Sequence, residues 1–216
     1  GDLCLVMTFC EGGDLATAIR VRKETGRLFE ESTVLILFAQ LALALGHCHE
    51  RRVLHRDLKT QNVFLMRHGV VKLGDFGIAR LLDGSQSVAQ TVVGTPFYIS
   101  PEVCQNRPYS YKSDVWALGC VLYELMALRQ AWGGSNLLSL VYKIVQEQHD
   151  PPPAAFSAEL RALLADCLAK DPARRPSVSQ VLQRPVMRRA VRTIAEGESV
   201  AGMEDVGAVV EAGDTV

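Results

Sequence analysis

The chain has 216 residues, 48% of them hydrophobic and 22% charged, which suits one globular domain with a sizeable core. A formal net charge of −1 provides no basic field of the kind that draws a protein to nucleic acid or to a membrane surface. The six cysteines contain no C-x-x-C pair, so free thiols in a reducing compartment are favoured over a disulfide framework or a zinc site.

Strand and helix patterns alternate at the start of the chain. The apolar run Leu3 to Met7 predicts a strand, and the Gly12-Gly13 pair ends the extended segment. Asp14 is placed to cap a short helix over Leu15–Arg22. A strand needs a partner, because its backbone groups are otherwise unpaired. We therefore expect this first segment to be an exposed, adhesive edge when the chain is studied alone.

A longer helix is predicted over Ser32–His49, since its residues are apolar on almost every side. Its most apolar window, Val34–Leu45, is shorter than the roughly 18 to 20 residues of a membrane-spanning helix, and it contains Gln40. The pattern therefore predicts a buried core helix. No signal peptide is visible, although a chain that begins within a fold could not show one.

Short β-prone runs and then helical patterns complete the chain. Strand propensity is concentrated in three runs, Val53–Leu54, Val63–Met66 and Val70–Leu73. A polar stretch after Leu81 predicts a mobile surface loop. Four helical patterns follow: Ser113–Met126, Asn136–Gln146, Ser157–Ala169, and a last helix that begins with the capping box Ser177 to Gln180. From about Thr193 acidic residues accumulate, and residues 191–216 are interpreted as a disordered acidic tail.

The octet HRDLKTQN, His55 to Asn62, resembles the catalytic loop of protein kinases. The triplet Asp75-Phe76-Gly77 follows at the spacing of the kinase metal-binding motif, and Ser100-Pro101-Glu102 stands where the family has A-P-E. Taken singly, an Asp-x-Lys pair is usually a surface ion pair, and an Asn after a loop is usually a turn residue. Because three motifs occur in the family's order, the chain resembles a eukaryotic protein kinase.

The resemblance implies an α+β fold over residues 1–190, mostly the helical large lobe (C-lobe) with strand five and the hinge of the small lobe (N-lobe). Phosphoryl transfer depends on positioning and charge neutralisation. Asp57 would accept the proton of the incoming hydroxyl, and Lys59 would reach the transferring phosphate. Asn62 and Asp75 supply the oxygen ligands that Mg²⁺ prefers, so ATP and Mg²⁺ are the expected cofactors. Thr95 would bond the Asp and the Lys, a pattern typical of serine/threonine kinases.

The opening stretch gains an interpretation from the same resemblance. Met7 would be the gatekeeper of the adenine site, and the hinge backbone at Phe9 and Cys10 would pair with the adenine edge. Asp14 is placed for a contact to the ribose. Phe64, two residues after Asn62, would form the floor under the adenine ring, with ordinary core packing as the alternative.

Regulatory and structural residues follow from the same family pattern. Arg56, with help from Arg80, would bind a phosphate on the activation loop and so order that loop. Thr91 is the predicted phosphorylation site, chosen over the other hydroxyls of the segment, Ser85, Ser87 and Thr95. Three further residues are predicted to support the large lobe. They are Asp114, whose carboxylate would bond backbone amides of the catalytic loop, and the buried ion pair of Glu102 with Arg175.

Several runs together resemble the NIMA-related (Nek) family of serine/threonine kinases. They are CEGGDL, HRDLKTQNVFL, VKLGDFGIAR, VVGTPFYISPE, KSDVWALGCVLYEL and NLLSLVYKIV. Membership implies protein substrates with Ser or Thr and roles in the cell cycle. From the net charge no nucleic-acid or membrane partner is expected, and the expected location is cytoplasmic, with nucleus, centrosome or cilium as alternatives from the family resemblance. The oligomeric state is left open. One departure is Ala131-Trp132, where relatives usually carry a Phe, and this bears on packing rather than chemistry.

The family's glycine-rich loop, strand-three Lys and helix-C Glu would precede the hinge, and residues 1–216 contain none of them. Three hypotheses follow: an incomplete stretch of an active kinase, a truncated and catalytically dead binding module, or a scaffold that docks substrates through the large lobe. Intact Asp57, Asn62 and Asp75 favour the first. We expect residues 1–216 alone to show no significant phosphate transfer from labelled ATP to a generic Ser/Thr substrate. Robust transfer that Asp57→Asn abolishes would contradict this expectation.

Overall fold

The computed structural model describes residues 4, 6–75, 96–197 and 206, and all structural statements concern these residues. Within them, helices pack around one another and against one two-stranded antiparallel hairpin, in agreement with the predicted α+β class. The strands are β1 (Val63–Leu65) and β2 (Val71–Leu73). The helices are α1 (Leu15–Glu24), α2 (Glu31–Glu50), α3 (Pro101–Cys104), α4 (Tyr111–Ala127), α5 (Leu137–Gln146), α6 (Ala158–Cys167), α7 (Val178–Leu182) and α8 (Pro185–Glu196). Three-residue 3₁₀ turns lie at Thr60–Asn62, Arg67–Gly69 and Pro96–Tyr98.

Helix α2 lies at the centre of the core, as its apolar pattern predicted. It is 20 residues long with a mean hydropathy of 1.5, so length and composition alone would let it cross a membrane. However, it packs against α4, α7, α8 and β2. Val34, Ile36 and Leu37 point in different directions around the helix and are all buried. The prediction of a buried core helix is therefore confirmed.

Helix α4 is the second buried helix, and every residue from Ser113 to Met126 is buried. Its start is fixed by a capping box at Ser110 and Ser113. Ser110 N donates to Ser113 Oγ at 3.1 Å, and Lys112 N donates to Ser110 Oγ at 3.2 Å. Gly119 allows close packing with α6, since a Cβ there would lie 2.8 Å from Leu168 Cδ2 and 2.9 Å from Cys167 Cβ. Burial on all sides explains why this stretch showed no amphipathic stripe.

The hairpin is held by its own strand pairing and by a side chain of α2. Residues Val63 and Leu73 pair at one end of its register. On the outer side, the Gln40 side chain of α2 donates to Gly69 O and accepts from Val71 N, both at 3.0 Å. The predicted β run at Val53–Leu54 is not a strand, because Val53 N closes the end of α2 by bonding to Cys48 O instead of to a neighbouring strand.

The predicted strand Leu3 to Met7 is wrong for the residues that the structure describes, since Cys4, Val6 and Met7 have no strand pairing. Leu3 and Leu5 lie outside the described residues. Val6 is 97% exposed and Met7 75%, so the expected exposure of apolar surface is present without the strand. The physical reason is that a β-prone run forms a strand only beside a paired neighbour, and the described segments place none there.

The C-terminal helices follow their predicted caps, but the last boundary does not. Ser157 accepts from Leu160 N at the start of α6, and Ser177 with Gln180 forms the predicted capping box of α7. α7 is not the last helix, because α8 follows. Residues 191–196 belong to α8, so the predicted start of the tail at 191 is wrong. Their polar composition reflects the exposed side of an amphipathic helix whose other side is buried. In the remaining tail the structure describes Val206, which is helical and 2% exposed.

The unusual Trp132 is accommodated by stacking. Its ring lies 4.9 Å from that of Trp116, at an interplanar angle of 14°. The Lys170 ammonium lies 4.5 Å from the Trp132 ring and 5.2 Å from the Trp116 ring. Trp132 is 3% exposed and lies in the core. The departure from the family pattern therefore enlarges an aromatic layer between α4 and the segment before α5.

Candidate active site

The loop after α2 brings three of the predicted catalytic side chains together. Lys59 Nζ lies 2.8 Å from Asp57 Oδ2. Asn62 Nδ2 donates to the same Asp57 oxygen at 3.0 Å and to the Asp57 backbone carbonyl at 2.7 Å. Asn62 is held in the 3₁₀ turn that leads into β1 and is 4% exposed, whereas the Asp57 side chain is 31% exposed. One carboxylate therefore faces solvent while a cation and an amide fix its orientation.

The hairpin brings Asp75 to the same place. Gly74 N donates to Asn62 O at 3.0 Å, which joins the end of β2 to the start of β1. Asn62 Nδ2 also lies 3.5 Å from Asp75 O. Residues 13 positions apart in the sequence thus become neighbours, and the two predicted metal ligands, Asn62 and Asp75, lie side by side.

Two non-glycine residues of this site have left-handed backbone conformations, Arg56 with φ 68° and Asp75 with φ 51°. Such conformations are uncommon for residues with a Cβ and persist only where the surroundings hold them. In this structure the surroundings are Asp114 for Arg56 and the hairpin closure for Asp75. Of the five left-handed non-glycine residues among those that the structure describes, two therefore lie at the predicted catalytic loop and at the start of the activation segment.

Asp114 of α4 holds the catalytic loop from beneath. Its two oxygens accept from the backbone N–H groups of His55 and Arg56, each at 3.1 Å. His49 Nε2 lies 2.8 Å from the carboxylate, and the Tyr109 hydroxyl donates to it. Burial alone would raise the pKa of Asp114, but these hydrogen bonds outweigh it and lower the pKa below its usual value. A fully buried negative charge is thus the anchor for two backbone amides of the loop.

His55 joins the loop to the hairpin, a role that the sequence analysis did not assign. Its ring is completely buried, and Nε2 lies 3.0 Å from Gly74 O. Burial lowers the pKa of His55 below its usual value, although neighbouring carboxylates oppose the shift. The neutral ring can donate from Nε2 to this carbonyl. Position 55 opens the motif octet, which was the available signal, whereas His49 and Tyr109 have no local sequence signal.

The residues predicted to contact ATP are only partly assembled. Asp14 and Phe64 pair as an isolated β-bridge, and Gly12 N donates to Leu65 O at 2.8 Å, so the segment after the hinge is fastened to β1. Phe64 packs closely on Gly74, where a Cβ would lie 2.8 Å from the ring. Asp14 accepts from Thr17 N at 2.7 Å as the cap of α1.

The three remaining adenine-site candidates are the gatekeeper Met7 and the hinge residues Phe9 and Cys10. Phe9 is 80% exposed and Met7 75%, and Cys10 is half-buried. Their predicted contacts to adenine stay predictions.

The predicted ion pair of the large lobe is formed. Arg175 donates from Nη1 to Glu102 Oε1 at 2.7 Å and from Nη2 to Oε2 at 2.6 Å. Both residues are buried, and Ser113 Oγ also donates to Glu102 at 2.7 Å. Burial would raise the pKa of Glu102, but the hydrogen bonds and charge of Arg175 outweigh it and lower the pKa.

Several predicted residues lie outside the described residues. They are Thr95 among the catalytic candidates, Phe76 and Gly77 of the triplet, the phosphorylation site Thr91, its partner Arg80, and the competing hydroxyls Ser85 and Ser87. Arg56 is described, and its backbone is fixed by Asp114. The predicted roles of these residues stay predictions.

Comparisons with known proteins agree with the motifs. The family model for the protein kinase domain matches residues 1–187. The chain is 45% identical over 201 residues to serine/threonine-protein kinase Nek1 of Mus musculus, covering 93% of the chain and 16% of that protein. Nek5 of Homo sapiens is 47% identical over 192 residues (88% and 27%). Nek3 of Mus musculus is 47% identical over 184 residues (85% and 36%). The chain therefore spans between about a sixth and about a third of the length of these relatives.

Proposed function

Because the chain belongs to the protein kinase family, in its NIMA-related (Nek) group, we propose that its protein transfers the γ-phosphate of ATP to Ser and Thr hydroxyls of proteins. The observation that supports this most is the cluster of Asp57, Lys59 and Asn62, in which one half-exposed carboxylate is held by a cation and an amide. The proposal includes protein substrates that carry Ser or Thr. It also includes a cytoplasmic location, with nucleus, centrosome or cilium as alternatives from the family.

In this proposal Asp57 orients the incoming hydroxyl and accepts its proton. A base must present its acceptor to the hydroxyl in a fixed position, and the contacts from Lys59 and Asn62 to Oδ2 restrain the carboxylate of Asp57. Lys59 has its ammonium at the same point, so its charge is available to a transferring phosphate. Proximity and fixed charge are the main sources of rate in phosphoryl transfer, and this cluster supplies both.

Magnesium is the metal that the proposal requires, and the donor set is compatible with it. Mg²⁺ usually takes one or two protein oxygen ligands together with substrate phosphates and water. Asn62 carries an amide oxygen and Asp75 a carboxylate, and the Asn62 amide nitrogen lies 3.5 Å from the Asp75 backbone carbonyl. Among the described residues no group of three or more His, Cys, Asp or Glu could hold a metal ion, so no protein-only cage competes. When bound, the ion would neutralise phosphate charge.

The rest of the proposed site follows the family pattern. Met7, Phe9 and Cys10 would line the adenine site of ATP, with Phe64 beneath the ring and Asp14 near the ribose. The packing of Phe64 on Gly74 supports a fixed floor at this place. Thr95 would contact Asp57 and Lys59. Phosphorylated Thr91 would be bound by Arg56 and Arg80, and this contact would order the activation loop.

The metal assignment is tested with Asp75→Ala in the protein expressed from its complete gene. Loss of one oxygen ligand is expected to lower phosphate transfer at fixed Mg²⁺ at least about tenfold and to raise the Mg²⁺ concentration for half-maximal rate. The measurement is a Mg²⁺ titration of transfer from labelled ATP to a Ser/Thr substrate. The control is Asp150→Ala, an exposed carboxylate paired with Arg129 away from the site. An unchanged Mg²⁺ dependence would contradict the assignment, and no transfer by the wild type would favour the binding-module hypothesis.

A further inference from the structure

Three elements meet in a buried cluster of hydroxyl and carboxyl groups next to the catalytic loop. Thr60 comes from the 3₁₀ turn that ends at Asn62, Tyr98 from the turn at Pro96–Tyr98, and Glu124 from α4. Thr60 Oγ1 lies 2.9 Å from the Tyr98 hydroxyl and 3.4 Å from Glu124 Oε2. Thr60 N donates to the same Tyr98 hydroxyl at 3.3 Å. We call these three residues the junction.

The junction is shielded from water, with Thr60 1% exposed and Tyr98 and Glu124 8% each. Burial raises the pKa of Glu124 to about 7, although hydrogen bonds from Tyr98 and Thr60 oppose the shift. The other buried carboxylates in the region behave differently, since the pKa values of Glu102 and Asp114 are both lowered. Glu124 is therefore the buried acid of this region that changes charge near neutral pH.

Two titratable groups interact with Glu124, Tyr98 and Cys120, and both stay neutral over this range. Lys170, whose pKa is lowered to about 8 by burial, acts on Cys120. Burial and the Glu124 charge raise the pKa of Tyr98. They also raise the pKa of Cys120, one turn earlier on α4, where Arg175 and Lys170 oppose the shift. Tyr98 thus keeps its proton and can donate to Glu124 whenever that carboxyl is ionised. The junction has one variable proton, on Glu124.

The two charge states hold the junction differently. An ionised Glu124 accepts from both hydroxyls, and charge-assisted bonds of this kind are stronger than neutral ones. A protonated Glu124 keeps the same neighbours but without that assistance. Thr60 lies between Lys59 and Asn62, whose side chains both contact Asp57. Any loosening at Thr60 is therefore passed to the groups that orient Asp57.

We propose that Glu124 is a proton-dependent positioning residue, which in its ionised form ties the catalytic loop at Thr60 to the turn at Tyr98 and on protonation releases that tie. The activity readout rests on the proposed kinase function. Two further readouts, carboxyl titration and unfolding, do not. Catalytic competence then rises with pH as Glu124 ionises, because the groups that orient Asp57 are held more firmly.

Glu124→Gln tests the proposal by moving stability and activity in opposite directions. A raised folded pKa means that Glu124 contributes stability that is fully present below its ordinary value of 4.5 and is lost as pH rises through about 7. The neutral Gln avoids that loss, so above about pH 7 the variant should unfold at a higher temperature than the wild type. A purely structural residue would lower stability and activity together.

Transfer assays on the protein from the complete gene are run between about pH 6 and about pH 8, with kcat and KM for the protein substrate determined separately. Wild-type transfer should rise about two- to tenfold, the typical effect of one hydrogen bond, and Glu124→Gln should stay near the low-pH level throughout. The control is Glu50→Gln, an exposed acid at the end of α2. A Glu124→Gln profile that parallels the wild type would overturn the proposal.

The titration itself is followed by carbon NMR of side-chain carboxyls in residues 1–216, with Glu124→Gln used for assignment. The signal of one carboxyl should titrate near 7 and be absent in Glu124→Gln. Tyr98→Phe should raise the pKa of this carboxyl by removing a donor.

Titration in the usual carboxyl range overturns the inference even if the protein is an active kinase. If the titration is found but no phosphate is transferred, the proposed function fails and the link to catalysis fails with it. If Glu124→Gln does not fold, Tyr98→Phe replaces it as the test, since the rise of transfer with pH should then move to higher pH, and an unmoved profile would overturn the proposal.

Discussion

Replacing Asp57 with Asn is expected to reduce phosphate transfer by about 10²- to 10⁴-fold, the range typical of a lost general base. Asn matches Asp in size, so its amide oxygen can still accept from Lys59 and Asn62. Its NH₂ group then faces the incoming hydroxyl, where it can donate but cannot accept a proton. The loss should fall on kcat, because the hydroxyl still binds but is neither oriented nor deprotonated.

The Asp57→Asn experiment compares kcat, KM and unfolding temperature in the protein from the complete gene. Because the Asp57 side chain is 31% exposed, its replacement should leave the unfolding temperature close to that of the wild type. Asp171→Asn is the matched control, since Asp171 is exposed and accepts from Ala173 N in a turn far along the chain. Near-normal transfer by Asp57→Asn would show that the residue is not the base. A large fall in unfolding temperature would assign it a structural role instead.

The sequence predicted those parts of the site in which chemistry and spacing are both local. Asp57, Lys59 and Asn62 lie within six residues, and the structure brings their side chains into contact. The caps at Asp14 and Ser177 were also predictable, because a capping box is a short-range pattern. The apolar run of α2 was interpreted correctly for the same reason, since an apolar pattern on almost every side is visible in the local sequence.

The parts that the sequence did not predict depend on partners far along the chain. Glu124 and Tyr98 reach Thr60 across 64 and 38 positions, and nothing near Glu124 marks it as a titrating acid. The strand predicted at Leu3 to Met7 fails for its described residues because strand formation requires a neighbour that a propensity cannot supply. The misplaced start of the tail has a similar cause, since Arg192 and Glu196 lie on the exposed side of a helix whose apolar side packs against α2.

Replacing Arg175 with Met is expected to lower the free energy of unfolding by about 3–5 kcal/mol, the usual effect of leaving one partner of a buried ion pair alone. Arg175 is 1% exposed and makes two bonds to Glu102. It also donates to the backbone carbonyls of Ala169, Lys112 and Lys170. For a domain of this size the expected fall in unfolding temperature is about 6–20 °C. Thermal unfolding of residues 1–216 measures it directly.

The neighbouring arginine supplies a matched control. Arg174 is exposed, so Arg174→Met should change the free energy of unfolding by no more than about 0.5 kcal/mol. A double variant, Glu102→Leu with Arg175→Met, should recover part of the loss, because it removes the orphaned carboxylate as well as the cation. Equal effects of Arg174→Met and Arg175→Met, or a double variant less stable than the sum of its single changes, would contradict the assignment of a coupled buried pair.

The pH dependence of unfolding gives the charge state of Glu102 in the two proteins. In the wild type Arg175 lowers the folded pKa of Glu102. The contribution of Glu102 to the free energy of unfolding is therefore present above the ordinary pKa of this carboxyl, 4.5, and is lost as pH falls through the folded pKa. Without Arg175, burial is the dominant influence and should raise the folded pKa instead. The sign then reverses, and Arg175→Met should lose stability relative to wild type as pH rises above about 4.5. A difference in unfolding free energy that does not vary with pH would mean that the arginine acts through its backbone contacts and not through its charge.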